Sequence, residues 1–528
     1  MLIPLLVLIA AVPATGETKD IDTLVICPID FQTALKPWVE YRKQQGHTIA
    51  VRPPSSTVDG IRSLIQEFAV SGALKNVVLV GDSRDEKVAR HRLIPTDYID
   101  AKVNVKYGSE PEIATDHTYA DLDGDFQLEL NIGRMPVDTA DELTAYIDRV
   151  IRYESDGNKG DWQRRVNFVA GVGGFGQLLD KMIEQSVRKI VTDLIPSECD
   201  VSMTYGSWRS PYCPDPRRFS DTAISRFNQG CQFWVYVGHG ERRQLDKVRL
   251  PDRRIDILNS ETVSKLAAQQ SSPIAILLSC YSAATDDRKD GLGELMLKQS
   301  RGPIGVISST RVSMPYAMGI FSLEMLDGYY NGDVETFGEL VTQSKQKMFK
   351  FDENKSRYHH LVSSMGKSFS PDPNLLSVER GEHVHLMHLL GDPLLRLHRP
   401  EKLDLKMPKI IVAGATVAVK GEADVEGTLT VDLSYRRDRF RNRPPRRKSY
   451  QPSHEFFAAY QPVYAQTQDL VCVQKTIEVK QGKFAIDLQI PDDCSGACHM
   501  RGMIKGDNYF AIGAVDVDVH KSMHTGNE

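Results

Sequence analysis

"FWVYVGHGERR", residues 233–243, runs five apolar or aromatic residues straight into Gly238-His239-Gly240. Forty-one residues after His239, "PIAILLSCYSAATDD" (273–287) repeats the form and ends its apolar run at Cys280. Short apolar runs closed by small or polar residues read as strands of a parallel sheet buried on both faces. Open α/β sheets gather their functional groups at the carboxyl ends of such strands. Two adjacent parallel strands would therefore bring His239 and Cys280 together. A thiol is a useful nucleophile only as a thiolate, and a neighbouring imidazole lowers its pKa. Gly240 has a place in the same chemistry: its N–H, with that of Cys280, would face the oxygen of a tetrahedral intermediate. Gly238 permits the sharp turn that exposes the imidazole. Either residue alone reads as a turn histidine or a buried thiol; together, at the same end of two strands, they point to nucleophilic catalysis.

Outward from this pair the same alternation continues. "TLVICPI", "ALKPWVEYRKQQG", "TIAVRP", "GIRSLIQEFAVSG" and "NVVLVGD" read as strand, helix, strand, helix, strand. A second set begins at "RRVNFVAGVGG" and closes at "LLGDPLLRLHRP" (389–400). The expected fold class is α/β, with two parallel-sheet units over 17–157 and 158–400, side by side or merged into one. Past Pro400, "KIIVAGATVAVKGEADVEGTLTVDLSY" and "KFAIDLQIP" alternate apolar with polar residues at period two and carry almost no helical signal. Residues 401–522 are expected to form an all-β, immunoglobulin-like sandwich. A length of 528 residues suits roughly two to four domains.

With 41% hydrophobic residues, 26% charged residues and a formal charge of −5, the chain has no global pull toward nucleic acid. Local charge is uneven, since "YRRDRFRNRPPRRKSY" carries eight Lys or Arg against one Asp. This stretch reads as a solvated hairpin loop, with contact to an anionic polymer through 436–448 as the functional alternative. Residues 1–16, MLIPLLVLIAAVPATG, read as a secretory signal with Ala14 and Gly16 at the cleavage site before Glu17. No later segment reaches the length of a bilayer span, so a secreted, periplasmic or surface-located protein is expected. Eight cysteines in an exported chain invite pairing, Cys199 with Cys213 and Cys472 with Cys494 or Cys498.

Four segments together resemble one family, the gingipain-type cysteine peptidases of caspase-like fold. They are the strand-His-Gly and strand-Ser-Cys pair, "TDHTYADLDGDFQLELNIGRMPVDTADELTAYIDRVIRYE" (115–154), "GLGELMLKQSRGPIGVISSTR" after the cysteine, and "LLGDPLLRL". The resemblance covers about residues 20–400. It implies a caspase-like catalytic unit acting on protein or peptide substrates without a cofactor for the chemistry. Cys280 matches the nucleophile, His239 the general base and acid, and Gly240 the oxyanion position. A supporting acid comes from the upstream segment, Glu129 matching best and Asp125 second. The loop "ERRQLDKVRLPDRRIDILNS" lengthens the His-to-Cys interval relative to the family and is expected to border the substrate cleft. For that reason the family's P1 preference is not carried over. "DLDGD" offers Asp121, Asp123 and Asp125 as calcium ligands, without the full twelve-residue EF-hand pattern, and structural calcium is implied by the family as well.

Gly171-x-Gly173-x-x-Gly176 mimics a dinucleotide fingerprint, but the acid that should end the next strand is absent, Asp193 falling in a helical run. His383, His385 and His388 read as strand positions on two different faces, a poor spacing for one metal ion. The alternative to a peptidase is a non-catalytic extracellular binding protein on the same scaffold.

Overall fold

Strands Asn76–Val80, Ile274–Leu278 and Gly305–Ser309 are buried along their whole length, as the apolar runs require. The computed structural model describes residues 20–155, 159–172, 185, 188–370 and 372–521. Residues 1–16, read as a signal, lie outside these, as do Gly173 and Gly176 of the glycine pattern.

One ten-stranded sheet organises the α/β region. Its order is Ile49–Arg52, Thr23–Ile26, Asn76–Val80, Asn131–Met135, Met387–Gly391, Gly305–Ser309, Ile274–Leu278, Phe233–Val237, Arg165–Ala170 and Asp200–Tyr205. The two expected units are thus halves of a single sheet. Pairing is parallel within each half, and antiparallel only where Met387–Gly391 meets Gly305–Ser309. The halves therefore run in opposite directions. Carboxyl ends of the second half share an edge with the amino ends of Asn131–Met135 and Met387–Gly391.

Helices cover the sheet with their apolar stripes. Val58–Ala69 begins at Thr57, whose side chain accepts from the Gly60 amide, and buries Ile61, Ile65 and Phe68 at helical spacing. Ala140–Glu154 begins the same way at Thr139. No helix among the described residues is long and apolar enough to cross a membrane.

Beyond residue 400 two sheets pack into a sandwich. One holds Glu401–Lys402, Tyr509–His520, Gly496–Gly506, Gly427–Tyr435 and Val471–Val479, with Ile410–Val412 also on Tyr509–His520. The other holds Leu405–Lys406, Thr416–Ala423 and Gly482–Gln489. The period-two reading holds here, with one exception. Between Gly427–Tyr435 and Val471–Val479 the chain leaves the sandwich and forms two short helices, His454–Ala458 and Tyr460–Gln468.

That excursion contains the basic stretch and changes its meaning. Arg437 donates to the carbonyls of Ile195 and Cys199, each at 2.6 Å. Arg447 donates to Ser210 O at 2.6 Å and lies 3.8 Å from the Tyr460 ring centroid. Gln468 closes the edge strand Asp200–Tyr205, accepting from Met203 N at 3.1 Å and donating to Met203 O at 3.0 Å. A side-chain amide thus stands in for a further strand and blunts an open sheet edge. The stretch is therefore a dock between domains rather than a wholly solvated hairpin; Arg439, Arg443, Arg446 and Lys448 remain exposed.

Candidate active site

Val237 pairs with Leu278 in parallel register, so His239 and Cys280 each lie two residues past paired positions on neighbouring strands. The Gly238 N–H donates to Leu278 O at 3.3 Å and carries the pairing one residue further. Gly238 has φ 157° in an extended turn, and a Cβ there would lie 2.6 Å from the Tyr236 hydroxyl. Gly240 is held as tightly: a Cβ on it would sit 2.8 Å from the Cys280 carbonyl oxygen. Gly240 thus lets the two strand ends approach each other, and Gly238 lets the turn pack on Tyr236.

Cys280 is partly exposed, unlike most of the other cysteines. The Ser313 N–H donates to its Sγ at 3.3 Å. Tyr281, the next residue, adopts φ 58°, a left-handed conformation that a bulky side chain rarely takes. Its N–H donates to Arg311 O, and its hydroxyl donates to Glu110 at 2.8 Å. These ties hold the strained turn that presents the thiol.

The long His-to-Cys interval lines a cleft. It folds into two hairpins, Gly240–Glu241 with Gln244–Leu245 and Lys247–Arg249 with Arg254–Asp256. A cleft of about 560 Å³ opens beside them, bordered by Gly240, Glu241, Glu261 and Tyr281.

Glu129 and Asp125 share this edge of the sheet but are not brought to His239. Their loop leads into Asn131–Met135, four strand spacings from Phe233–Val237, or roughly 19 Å at about 4.8 Å per spacing. Glu129 instead accepts from Leu122 N at 2.7 Å. It joins Asp121 and Asp123, one carboxylate oxygen of each lying within 4.8 Å of the others. Asp125 turns away to Gln127, accepting from its backbone N–H at 2.9 Å and its side-chain amide at 2.6 Å. Burial and neighbouring carboxylates push the pKa of Asp121 and Glu129 upward, a repulsion that a divalent cation would relieve. The residues that fit calcium are therefore Asp121, Asp123 and Glu129, with Glu129 in the place the sequence reading gave to Asp125.

A second acidic group escaped the sequence reading. Asp82, Asp85 and Asp290 bring oxygens within 4.8 Å of one another. Glu294, 1% exposed, lies against them with a buried oxygen that has no hydrogen-bond partner among the described residues. Burial pushes Asp82 up to about 7. Because Glu294 comes 209 residues after Asp85, no local pattern announces the group; only folding assembles it.

The histidines of "EHVHLMHLLGD" separate. His383 and His385 lie on helix Leu376–Leu386, not on a strand, and His388 is on Met387–Gly391. His383 accepts from Met314 N at 2.8 Å, and His388 from Asp116 N at 3.1 Å. In the sandwich Cys472, Cys494 and Cys498 converge, Cys472 and Cys494 with sulfurs 3.0 Å apart; all eight cysteines are free thiols.

A cysteine and a histidine on adjacent strand ends, beside a cleft in an α/β sheet, define the layout of thiol-dependent hydrolases. The chain belongs to peptidase family C25, whose sequence profile matches residues 17–398. It is 24% identical over 299 residues to Lys-gingipain of Porphyromonas gingivalis, covering 54% of this chain and 15% of that protein. It is 26% identical over 226 residues to gingipain R2 of the same organism, covering 41% and 27%. The chain thus spans well under a third of the length of these relatives. The crystal structure of the Arg specific cysteine proteinase gingipain R aligns over 96% of this chain and 99% of that one, with TM-score 0.54 at 19% identity. The expected fold, an α/β catalytic unit followed by a β-sandwich, is the one this comparison supports.

Proposed function

We propose that the protein is an exported cysteine endopeptidase working through Cys280 and His239. The observation that carries this reading is the parallel register of Val237 with Leu278, which presents both residues at one edge beside the cleft. The Cys280 thiolate attacks the scissile carbonyl carbon, and the carbonyl π electrons move to oxygen, where the amides of Gly240 and Cys280 hold the charge. Protonated His239 gives its proton to the departing amine as the C–N bond breaks. Water, deprotonated by the now neutral imidazole, then attacks the thioester and expels the Cys280 thiolate.

Labelling with a peptidyl electrophile directed at thiols tests this assignment. The wild type is expected to take up one equivalent at Cys280, and the Cys280→Ala protein none. Equal labelling of the two would remove Cys280 from the chemistry and favour a binding role for the scaffold.

Calcium belongs to the same proposal as a structural ion, supplying charge neutralisation but no step of the reaction. Asp121, Asp123 and Glu129 would hold it, with the Asp82, Asp85 and Asp290 group as a second place of suitable donors. Strong chelation is expected to lower the melting temperature, with recovery on adding calcium but not sodium. At calcium one hundred times its dissociation constant, the ion would contribute about 2.7 kcal/mol. A melting curve indifferent to chelator would show that the loops are simply acidic turns.

A further inference from the structure

Strand order leaves one side of His239 to Cys280 and the other to Arg165–Ala170, the next strand in the sheet. Just past the end of that strand, at Gly171, lies a carboxylate that neither the mechanism nor the acidic loops use. Asp246 packs on Gly171 so closely that a Cβ at Gly171 would be 3.3 Å from Asp246 Oδ2. The side chain is 9% exposed. Its Oδ1 accepts from Lys247 N at 2.8 Å and from Arg249 at 3.5 Å, whereas its Oδ2 is buried with no hydrogen-bond partner among the described residues. A buried carboxylate oxygen left unpaired is expensive, and in a native structure it calls for a reason.

The backbone around it supplies one. Asp246 N donates to His239 O at 3.0 Å. The Tyr236 hydroxyl lies between the two residues, donating to His239 O at 2.8 Å and accepting from Asp246 N at 3.2 Å. Gly171 N donates to Val237 O at 2.9 Å, so the glycine under the carboxylate is bonded to the strand that delivers His239. Asp246 and His239 are thus tied through one tyrosine and one carbonyl, with the carboxylate on the face of the histidine turn opposite Cys280.

We infer that Asp246 is the positioning residue of His239, the acid that holds the imidazole toward Cys280 and stabilises its protonated form during the reaction. This rests on the peptidase reading above and fills the role that sequence resemblance gave to Glu129 or Asp125. Asp246 touches no substrate; it acts through His239. Cys280 follows the strand on one side of the histidine turn, the Tyr236 hydroxyl bonds the His239 carbonyl, and Asp246 with Arg249 lies toward the strand on the other side. Lys247, next in sequence, is engaged by Asp256 at 2.8 Å. An ion pair that tightens only when substrate closes the site is common among general bases and their partners, so an open carboxylate in the free protein is compatible with the role.

The test reads the thiolate without needing a substrate. The rate of Cys280 alkylation by iodoacetamide is followed against pH, alongside kcat and KM for a peptide substrate. In the wild type the alkylation limb is expected well below the ordinary thiol value of about 8.5. Asp246→Asn is expected to move that limb up by about one to three pH units. It should also lower kcat by on the order of 10²- to 10⁴-fold, with KM changed little. Asp246→Glu should restore part of both. Arg249→Gln, at an exposed side chain that folding does not depend on, removes a competing cation and should move the limb the opposite way. An unchanged limb in Asp246→Asn together with an unchanged limb in Arg249→Gln would overturn the inference while leaving Cys280 reactive. Wild-type alkylation no faster than that of a free thiol at every pH would instead overturn the peptidase reading itself.

Discussion

Alanine at Cys280 and alanine at His239 are each expected to reduce kcat on a peptide substrate by about 10⁶-fold, and the double substitution by no more than either alone. In this mechanism the two side chains act as one unit. Without His239 the thiol has no base to take its proton, and the amine leaves without a proton donor; without Cys280 the imidazole has no nucleophile to serve. A 10⁶-fold loss corresponds to about 8 kcal/mol of transition-state stabilisation, which no cleft contact supplies alone. Both variants should keep the melting temperature of the wild type within a few degrees, since the strands end before the two residues begin. The informative quantity is the double variant. If the single losses were about 10³-fold and multiplied in the double, the residues would be contributing independently, and the dyad would be wrong. A residual rate above the uncatalysed one should survive in every variant, because the Gly240 and Cys280 amides remain.

Why the neighbouring strands before His239 and Cys280 were legible, and the place of Asp246 was not, follows from what a sequence contains. Phe233–Val237 and Ile274–Leu278 each announce themselves by an unbroken apolar run, and each run ends two residues before His239 or Cys280. Their adjacency needed only the common tendency of successive parallel strands to pair. Placing any acid relative to His239 needed the order of the whole sheet. Asn131–Met135 looked close because its segment carries acids at suggestive spacing, yet Met387–Gly391, Gly305–Ser309 and Ile274–Leu278 lie between it and Phe233–Val237. Met387–Gly391 comes from the far end of the α/β region and enters antiparallel to its neighbour, an arrangement that no local pattern encodes. Asp246 was passed over because it sits in a stretch without periodicity, between two hairpins of two and three residues per strand.

Other misreadings have local causes. In "EHVHLMHLLGD" the spacing of His383 and His385 imitates a strand, but the helix runs to Leu386 and the strand starts at Met387. The helices His454–Ala458 and Tyr460–Gln468 are five and nine residues long, too short to impose a period on the surrounding strands. They are stabilised by what they touch: Tyr464 meets Thr204 at 2.8 Å between hydroxyls, and Tyr460 donates to Trp208 O at 2.9 Å. Helices of this length depend on tertiary packing rather than intrinsic preference.

Replacing Arg42 by methionine is expected to destabilise the α/β region by about 3–5 kcal/mol, the largest effect on stability expected anywhere in the fold. Arg42 lies near the end of Ile29–Gln44 with no exposed side-chain surface. It donates to Glu154 at 2.8 and 2.9 Å and to Asp392 at 2.7 Å. Glu154 ends the helix Ala140–Glu154, and Asp392 opens the turn after Met387–Gly391, so one guanidinium joins the first helix, a second helix and the last strand of the sheet. Trp38 also donates to Asp392 at 2.5 Å, and Arg396 N donates to Glu154 at 2.9 Å. Methionine fills the space of the arginine stem but leaves two buried carboxylates without a cation. For a domain of this size the loss should lower the melting temperature by roughly 10 °C. A second variant separates the missing charge from the missing packing. Arg42→Met with Glu154→Gln and Asp392→Asn keeps acceptors for Trp38 and Arg396 while removing all three charges, and should regain most of the loss. Acidity gives the same answer from another direction. Burial alone would raise the Glu154 pKa, but Arg42 and Gln45 override it and hold it below its ordinary value of 4.5. The stability it contributes is therefore present above pH 4.5 and is lost as pH falls through the lowered value. In Arg42→Met the same carboxylate is buried without its cation, its pKa rises, and acidification relieves it. The difference in stability between wild type and Arg42→Met should accordingly narrow as pH falls from 6 toward 4, measured by urea unfolding at each pH. A gap that stays constant over that range would mean that Arg42 stabilises the fold by packing alone.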